Sequence, residues 1–376
     1  MTHQAFPFLR RSGRSFRLAL VLTSLLVGCS ALGKETPFPD PISTSGVGPF
    51  RRLGTTETRF RGLALDLGQQ GLDRASWAGG SLFYAAAPVI APLPARDTTL
   101  PARELDPGQF DPFRIFRSDT EERFGFDPGV VVLEASEAWE GGFVTQPFAL
   151  ELEDGSVRVY YAAAGGIGLA SAPSVTGTLT RSGDGLALAN DLGVMAGPLR
   201  SPAVAVLDGT YYLYADDGTD IWVATSVDGL TFTLLDADDA AGGVNPLSIP
   251  DPIDDDEPLE RAHVSPAALV ATSPTGRTTL RLYVECQQVP ETGNEDQRII
   301  AALASIDGVT FERARLPAQE ARDAPGQPTI RRFHEGVAEQ LMYVTVTRGT
   351  DPQLRALQVA VDPARANFEP APEPMP

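Results

Sequence analysis

The chain has almost no lysine, cysteine or histidine. Lys34 is its only lysine, Cys29 and Cys286 its only cysteines, and His3, His263 and His334 its only histidines. Each scarcity excludes something. Two cysteines cannot build a disulfide framework, so the fold must stand on an apolar core, and the roughly 320 residues after the leader are ample for one. The two histidines beyond the leader exclude a multi-histidine metal site. Basic residues are outnumbered 30 to 49, giving a net charge of −19. That balance argues against nucleic acid or an anionic membrane surface as a partner and does not oppose a neutral ligand such as a sugar. No phosphate-cradling glycine loop or nucleophile elbow is present. Helical periodicity is nearly missing as well, which points to an all-β fold.

The first residues read as a leader. Arg10, Arg11, Arg14 and Arg17 precede the apolar run 18–27, which is too short for a membrane span. The ending Leu26-Val27-Gly28-Cys29 resembles a bacterial lipobox, in which the cysteine becomes the lipidated first residue of the mature chain; an ordinary signal peptide or an uncleaved anchor, with a chance cysteine, is the alternative. Ser30 follows, and the lack of an aspartate there, by resemblance to enteric lipoproteins, implies the outer membrane. The expected organisation is a signal peptide over 1–28, a lipid-anchored tether rich in Pro, Gly and Ser over 29–50, one domain over 51–368, and a tail over 369–376.

Within the domain one pattern recurs: x-Pro, a short apolar strand, a turn, an aromatic strand, then a third strand. The stretch from Ser201 shows it whole, with Asp208-Gly209 as the hairpin turn, Tyr211–Tyr214 as the aromatic strand, and "ATSVDGLTF" leading into a fourth strand. The x-Pro starts fall at Pro147, Pro202, Pro266 and Pro328, and a weaker copy begins near Leu72 with Gly79-Gly80 as its turn. "LASIDGVTF" at 303–311 repeats the Ser-x-Asp-Gly-x-Thr-Phe turn of 226–232. Five units of four strands predict a five-bladed β-propeller of four-stranded antiparallel blades; chance similarity within a β-sandwich is the competing reading.

On these motifs the chain resembles the five-bladed propeller glycosidases, the arabinanase, xylosidase and invertase types of glycoside hydrolase families 43 and 32 and their relatives. The resemblance covers most of residues 70–365. It implies carboxylates at the mouth of an axial funnel, acting as base or nucleophile and as general acid across the scissile bond. In that group one place for them is the start of an inner strand. Here those positions hold Gln146, Ser201, Ser265 and Gln327, none of them acidic. Asp73, in "LDRASW", stands where the family's Asp-Pro base is expected, with Arg74 in place of the proline. Aligning the aromatic strands puts Asp216 and Glu285 at one repeat position. Asp73, Asp216 and Glu285 are therefore the acid–base candidates; the alternative is that the latter two are solvated or arginine-paired rim residues.

Placement near the mouth adds His263, Arg200, Arg261, Gln146 and Gln327 as ligand-binding candidates, and Trp77 and Trp139 as sugar-stacking platforms, with core burial the alternative for Trp77. The acidic stretches "DADDAAGG" from Asp236 and "DPIDDDE" from Asp251 raise calcium, but neither has EF-hand spacing, and no cofactor or metal is expected. Two functions follow: a monomeric, lipid-anchored envelope protein that hydrolyses glycans at the axial funnel, or a non-catalytic propeller that binds glycan or protein partners on the same face.

Overall fold

A computed structural model describes residues 49–54, 63–65, 67, 70–88, 112–235, 244–251, 260–272, 278–288, 298–314, 317–319, 325–333, 338–346 and 355–361. The calcium candidates 236–243 and 252–257, the leader with Cys29, and His334 lie outside them.

The strands form five small antiparallel sheets, as the repeat predicts. Blade 1 runs Gln70–Ala78, Ser81–Pro88, Arg114–Ser118 and Val130–Leu133. Blade 2 runs Thr145–Glu151, Val157–Ala163, Gly166–Ala172 and Thr180–Ala189. Blade 3 has Arg200–Leu207, Thr210–Asp216, Ile221–Ser226 and Thr233–Leu234. Blade 4 has Glu260–Thr272, Thr278–Gln288, Arg298–Ser305 and Glu312–Arg313. Blade 5 begins with Gly326–Phe333, Ala338–Val346 and Arg355–Val361. Its outer edge comes from the start of the domain: Leu63–Leu65 and Arg51–Arg52 both pair antiparallel with Arg355–Val361. The chain therefore closes its own ring, and Phe50 is buried edge-on against Tyr283 at that closure. First strands of successive blades touch one another around a complete circuit, with blade 5 meeting blade 1.

Both faces of these sheets are covered by neighbouring blades, so the strands read as nearly continuous apolar runs rather than as alternating ones. Ser81–Ala87 and Thr279–Cys286 are buried at every residue. Aromatic second strands supply the largest fully buried side chains, among them Tyr84, Tyr160, Tyr161, Tyr214 and Tyr283.

The Ser-x-Asp-Gly-x-Thr-Phe motif is a clasp between blades. Within the turn, Asp307 Oδ1 accepts the N–H of Val309 and Thr310 at 2.9 and 2.7 Å, and Ser305 Oγ accepts the Gly308 N–H at 2.9 Å. Asp228 and Ser226 repeat these bonds in blade 3. The turn then grips the aromatic strand of the preceding blade. Tyr214 of blade 3 donates its hydroxyl to the Gly308 carbonyl of blade 4 at 2.6 Å, and Phe311 packs edge-on against the same ring. Tyr160 of blade 2 holds Gly229 and Phe232 of blade 3 in the same way, at 2.7 Å. Glycine is required because Gly308 has φ +79°, and a Cβ there would lie 2.5 Å from the Tyr212 ring. Tyr214→Phe leaves that carbonyl without its donor, and the expected cost is about 1–2 kcal/mol in denaturant unfolding. A change within error would show that the hydroxyl contributes nothing to the clasp.

Candidate functional site

Each blade's first strand contains a bulge next to the axis, and the bulged residue has positive φ in every blade: Arg74 (39°), Gln146 (50°), Ser201 (51°), Ser265 (53°) and Gln327 (46°). Such conformations are uncommon for residues other than glycine. Five in register imply that the surroundings impose them, and the hydrogen bonds show how. The bulge N–H of one blade donates to a side chain of the blade before it. Ser201 N–H meets Gln146 Oε1 at 2.8 Å, Ser265 N–H meets Asp216 Oδ2 at 2.9 Å, and Gln327 N–H meets Glu285 Oε2 at 2.9 Å. Arg74 N–H meets Gln327 Oε1 at 3.0 Å across the junction of blades 5 and 1. Between blades 1 and 2 the Thr145 hydroxyl donates to Asp73 Oδ2 at 2.7 Å. All five junctions are tied at the axis.

This register corrects the alignment of the first blade. Arg74, not Asp73, is the counterpart of Gln146, Ser201, Ser265 and Gln327, because the bulge falls between Asp73 and Ala75 and Ala75 takes the proline's place. The position that the family resemblance gave to a base is therefore an arginine. Its side chain is completely buried, and the charges acting on it are those of Asp216, Asp73 and Glu285. Its Nη2 donates to the Pro266 carbonyl of blade 4. Burial pulls the guanidinium down to about 10, against the pull of the three carboxylates, so it remains a cation at neutral pH.

The three acid candidates lie within the field of this arginine, but none hydrogen-bonds to it: its Nε and Nη1 are buried without a hydrogen-bond partner among the described residues, and each acid has other partners. Asp216 is 0 % exposed; its Oδ1 accepts from Arg200 Nε at 2.6 Å and from the Gly218 N–H at 3.0 Å. Burial pushes its carboxyl above the usual range, and Arg200 and the Ser265 N–H oppose that rise. Glu285 is 2 % exposed and accepts from Arg298 Nη1 at 2.7 Å. Asp73 is 7 % exposed and takes a further bond from Gln327 Nε2. Asp216 and Glu285 hold equivalent positions, as the alignment of aromatic strands predicts, and both receive the next blade's bulge N–H.

The remaining candidates divide by depth. Gln146 and Gln327 are buried in the axial ring. Trp77 is a core residue rather than an open platform: it packs against Phe126, and the Arg331 guanidinium covers its face at 4.1 Å from the ring centre. Trp139, Arg200 and His263 are partly exposed, and Arg261 is exposed. These lie on the end of the propeller where the first strands begin. Trp139 sits on a one-turn helix, 138–140, against the Gly165 turn of blade 2, and stacks on Tyr161 with ring centres 6.1 Å apart. His263 N–H donates to the Thr219 carbonyl in the corresponding turn of blade 3 at 2.9 Å.

Two buried acids carry no clear mark in the sequence. Glu140 anchors the Trp139 turn: its carboxylate accepts from Arg181, the Tyr161 hydroxyl and the Ser136 and Glu137 N–H groups. Burial alone would raise its pKa, but Arg181 and these donors outweigh it and hold the carboxyl below its ordinary value. Glu260 is chelated by Arg313 through both oxygens, at 2.7 and 2.8 Å, and lies 2.8 Å from His263 Nε2. The one signal for the first is the Glu137-x-x-Glu140 capping spacing; no local signal announces the second.

No family model matches the chain, and no curated protein matches it in sequence. Solved structures do match in shape. A structure described as a BT0996 RGII complex aligns over 83 % of this chain and 92 % of its own with a TM-score of 0.56 and 12 % identity. A structure described as a glycoside hydrolase aligns over 85 % and 92 %, with a TM-score of 0.55 and 11 % identity. A family 117 glycoside hydrolase from the marine bacterium Zobellia galactanivorans aligns over 83 % and 89 %, with a TM-score of 0.50 and 15 % identity. At such identities the likeness is one of fold, and it agrees with the blade count and strand order: the chain has the five-bladed β-propeller fold found among glycoside hydrolases.

Proposed function

We propose that this chain is a carbohydrate-binding propeller that does not cleave its ligand, held at the cell envelope, on the outer membrane, through a lipid on Cys29. The observation that carries this reading is the Arg74 guanidinium among Asp73, Asp216 and Glu285. Glycoside hydrolysis needs two carboxyls about 5–10 Å apart with room for sugar and water between them. Here the carboxylates are buried, lie in the field of one buried arginine, and accept the hydrogen bonds that join neighbouring blades. Freeing one to shuttle a proton would also break the ring.

Carbohydrate is the ligand class that the fold and charge favour. The neighbours include glycoside hydrolases, and a net charge of −19 does not repel a neutral sugar. The partly exposed Trp139, Arg200 and His263, with Arg261, offer an aromatic face and hydrogen-bond donors at the end of the propeller where the first strands begin.

The test is a panel of polysaccharides and aryl glycosides screened for binding and for hydrolysis in parallel. Binding without product release is expected. Trp139→Ala should weaken the binding roughly tenfold, the loss of one stacking contact. Hydrolysis abolished by Asp73→Asn or Glu285→Gln would instead establish the enzyme, and absence of any glycan binding would remove carbohydrate as the ligand.

A further inference from the structure

A second polar cluster lies beside the axial ring at the junction of blades 3 and 4. Glu260 and His263 are on the first strand of blade 4, and Cys286 is directly opposite His263 on the second. One donor atom from each, a carboxylate oxygen, a ring nitrogen and Sγ, all lie within 4.8 Å of one another. Cys286 is fully buried, and the Glu260 side chain is 3 % exposed, whereas His263 keeps 21 % exposure and gives the cluster an edge towards solvent. Its own strand and the facing strand supply all three groups, so the cluster belongs to the rigid part of the blade.

We infer that Glu260, His263 and Cys286 form a three-ligand site for a zinc-like transition metal ion. The donor set decides the ion class. Thiolate and imidazole suit zinc and its neighbours, whereas calcium and magnesium take oxygen ligands. Tetrahedral bonds of 2.0–2.3 Å need donor atoms roughly 3.3–3.6 Å apart, so the His263–Glu260 pair, now hydrogen-bonded at 2.8 Å, must open to admit the ion while the more distant donors draw in. The supporting groups are those a metal centre uses. Arg313 fixes both oxygens of Glu260, and the turn 217–220 of blade 3 adjoins the cluster. The bond from His263 N–H to the Thr219 carbonyl holds that turn in place. On binding, the Cys286 S–H bond breaks, the sulfur–metal bond forms and one proton leaves to solvent, while the neutral His263 ring shifts its proton from Nε2 to Nδ1 so that Nε2 offers its lone pair in place of the hydrogen bond to Glu260. Three protein ligands leave a fourth position for water or a donor atom of a ligand. The site shares His263 with the glycan-binding face proposed above, but its test does not rest on that reading, because a cobalt–thiolate band reports the Cys286 bond whether or not glycan binds.

The experiment uses the full chain stripped with a chelator and titrated with cobalt(II), whose bond to a thiolate gives a near-ultraviolet charge-transfer band. A band saturating at one cobalt per chain and reversed by zinc is expected. Cys286→Ser should abolish it, Cys29→Ser should leave it intact, and His263→Ala should weaken cobalt binding by at least about tenfold. No band in the wild-type chain, a band that survives Cys286→Ser, or one lost in Cys29→Ser overturns the site. Should Cys286→Ser fail to fold, His263→Ala decides: its side chain is partly exposed, and unchanged cobalt affinity there rejects the proposal.

Discussion

Arg74→Met should unfold the propeller about 3–5 kcal/mol more easily than the wild-type chain, the cost of removing one partner from a buried ionic cluster. Methionine is unbranched and of similar length, so packing changes least while the charge disappears. Three carboxylates then lack the cation whose field they lie in, and the Pro266 carbonyl loses its donor. A fall in Tm of roughly 4–8 °C corresponds to that loss for a domain of this size. The pH dependence separates charge from packing. Burial already raises the Asp216 carboxyl, and the variant removes a nearby positive charge that opposes the rise. A carboxyl with a raised folded pKa gives stability that is present below the unfolded pKa and lost as pH rises through the folded one. The gap between variant and wild type should therefore be wide near neutral pH and narrow towards about pH 4. An equal gap at both pH values would show that Arg74 acts through packing alone, and no gap would remove it as an axial anchor.

That arginine also marks where the sequence stops being legible. The repeat is readable because each blade writes the same local chemistry: an x-Pro start, a glycine turn, an aromatic strand. Ser-x-Asp-Gly-x-Thr-Phe can be placed at the third turn, since the demands of a tight turn are local. Its grip on Tyr160 and Tyr214 is not readable, because that contact joins residues 69 and 94 positions apart. The first blade slips by one residue where Ala75 replaces proline and no rigid marker fixes the register. The closing strands escape because Arg51–Arg52 and Leu63–Leu65 are too short for a period to show. Charged partners are hidden for the same reason as the tyrosine contacts. Arg298 and Arg313 each reach an acid on another strand, and neither carries a mark that distinguishes it from a surface arginine. Trp77 is undecidable between platform and core until Arg331, from the last blade, is seen over its face.

Glu260 carries the second large effect, and it is expected to appear as a stability curve with a distinct acid limb. Its carboxyl is held at about 2: burial would raise it, but the two bonds from Arg313 and the contact with His263 outweigh burial. A carboxylate whose folded pKa lies below its unfolded value gives stability that is complete above the unfolded value, near 4.5, and is lost as pH falls through the folded one. The window for Glu260 therefore runs from about pH 4.5 down to about pH 2. The shift corresponds to about 3 kcal/mol at neutral pH. Glu260→Gln removes that contribution and leaves Arg313, itself 5 % exposed, without a carboxylate in the core of blade 4. Denaturant unfolding with a chelator present keeps any bound metal out of the comparison. At pH 7 the variant should be less stable by about 3 kcal/mol, and the two curves should approach each other between pH 4.5 and 2. Parallel curves across that range would mean that the Arg313 pair is as strong with a neutral amide as with a carboxylate, which a charge-assisted bidentate pair does not allow.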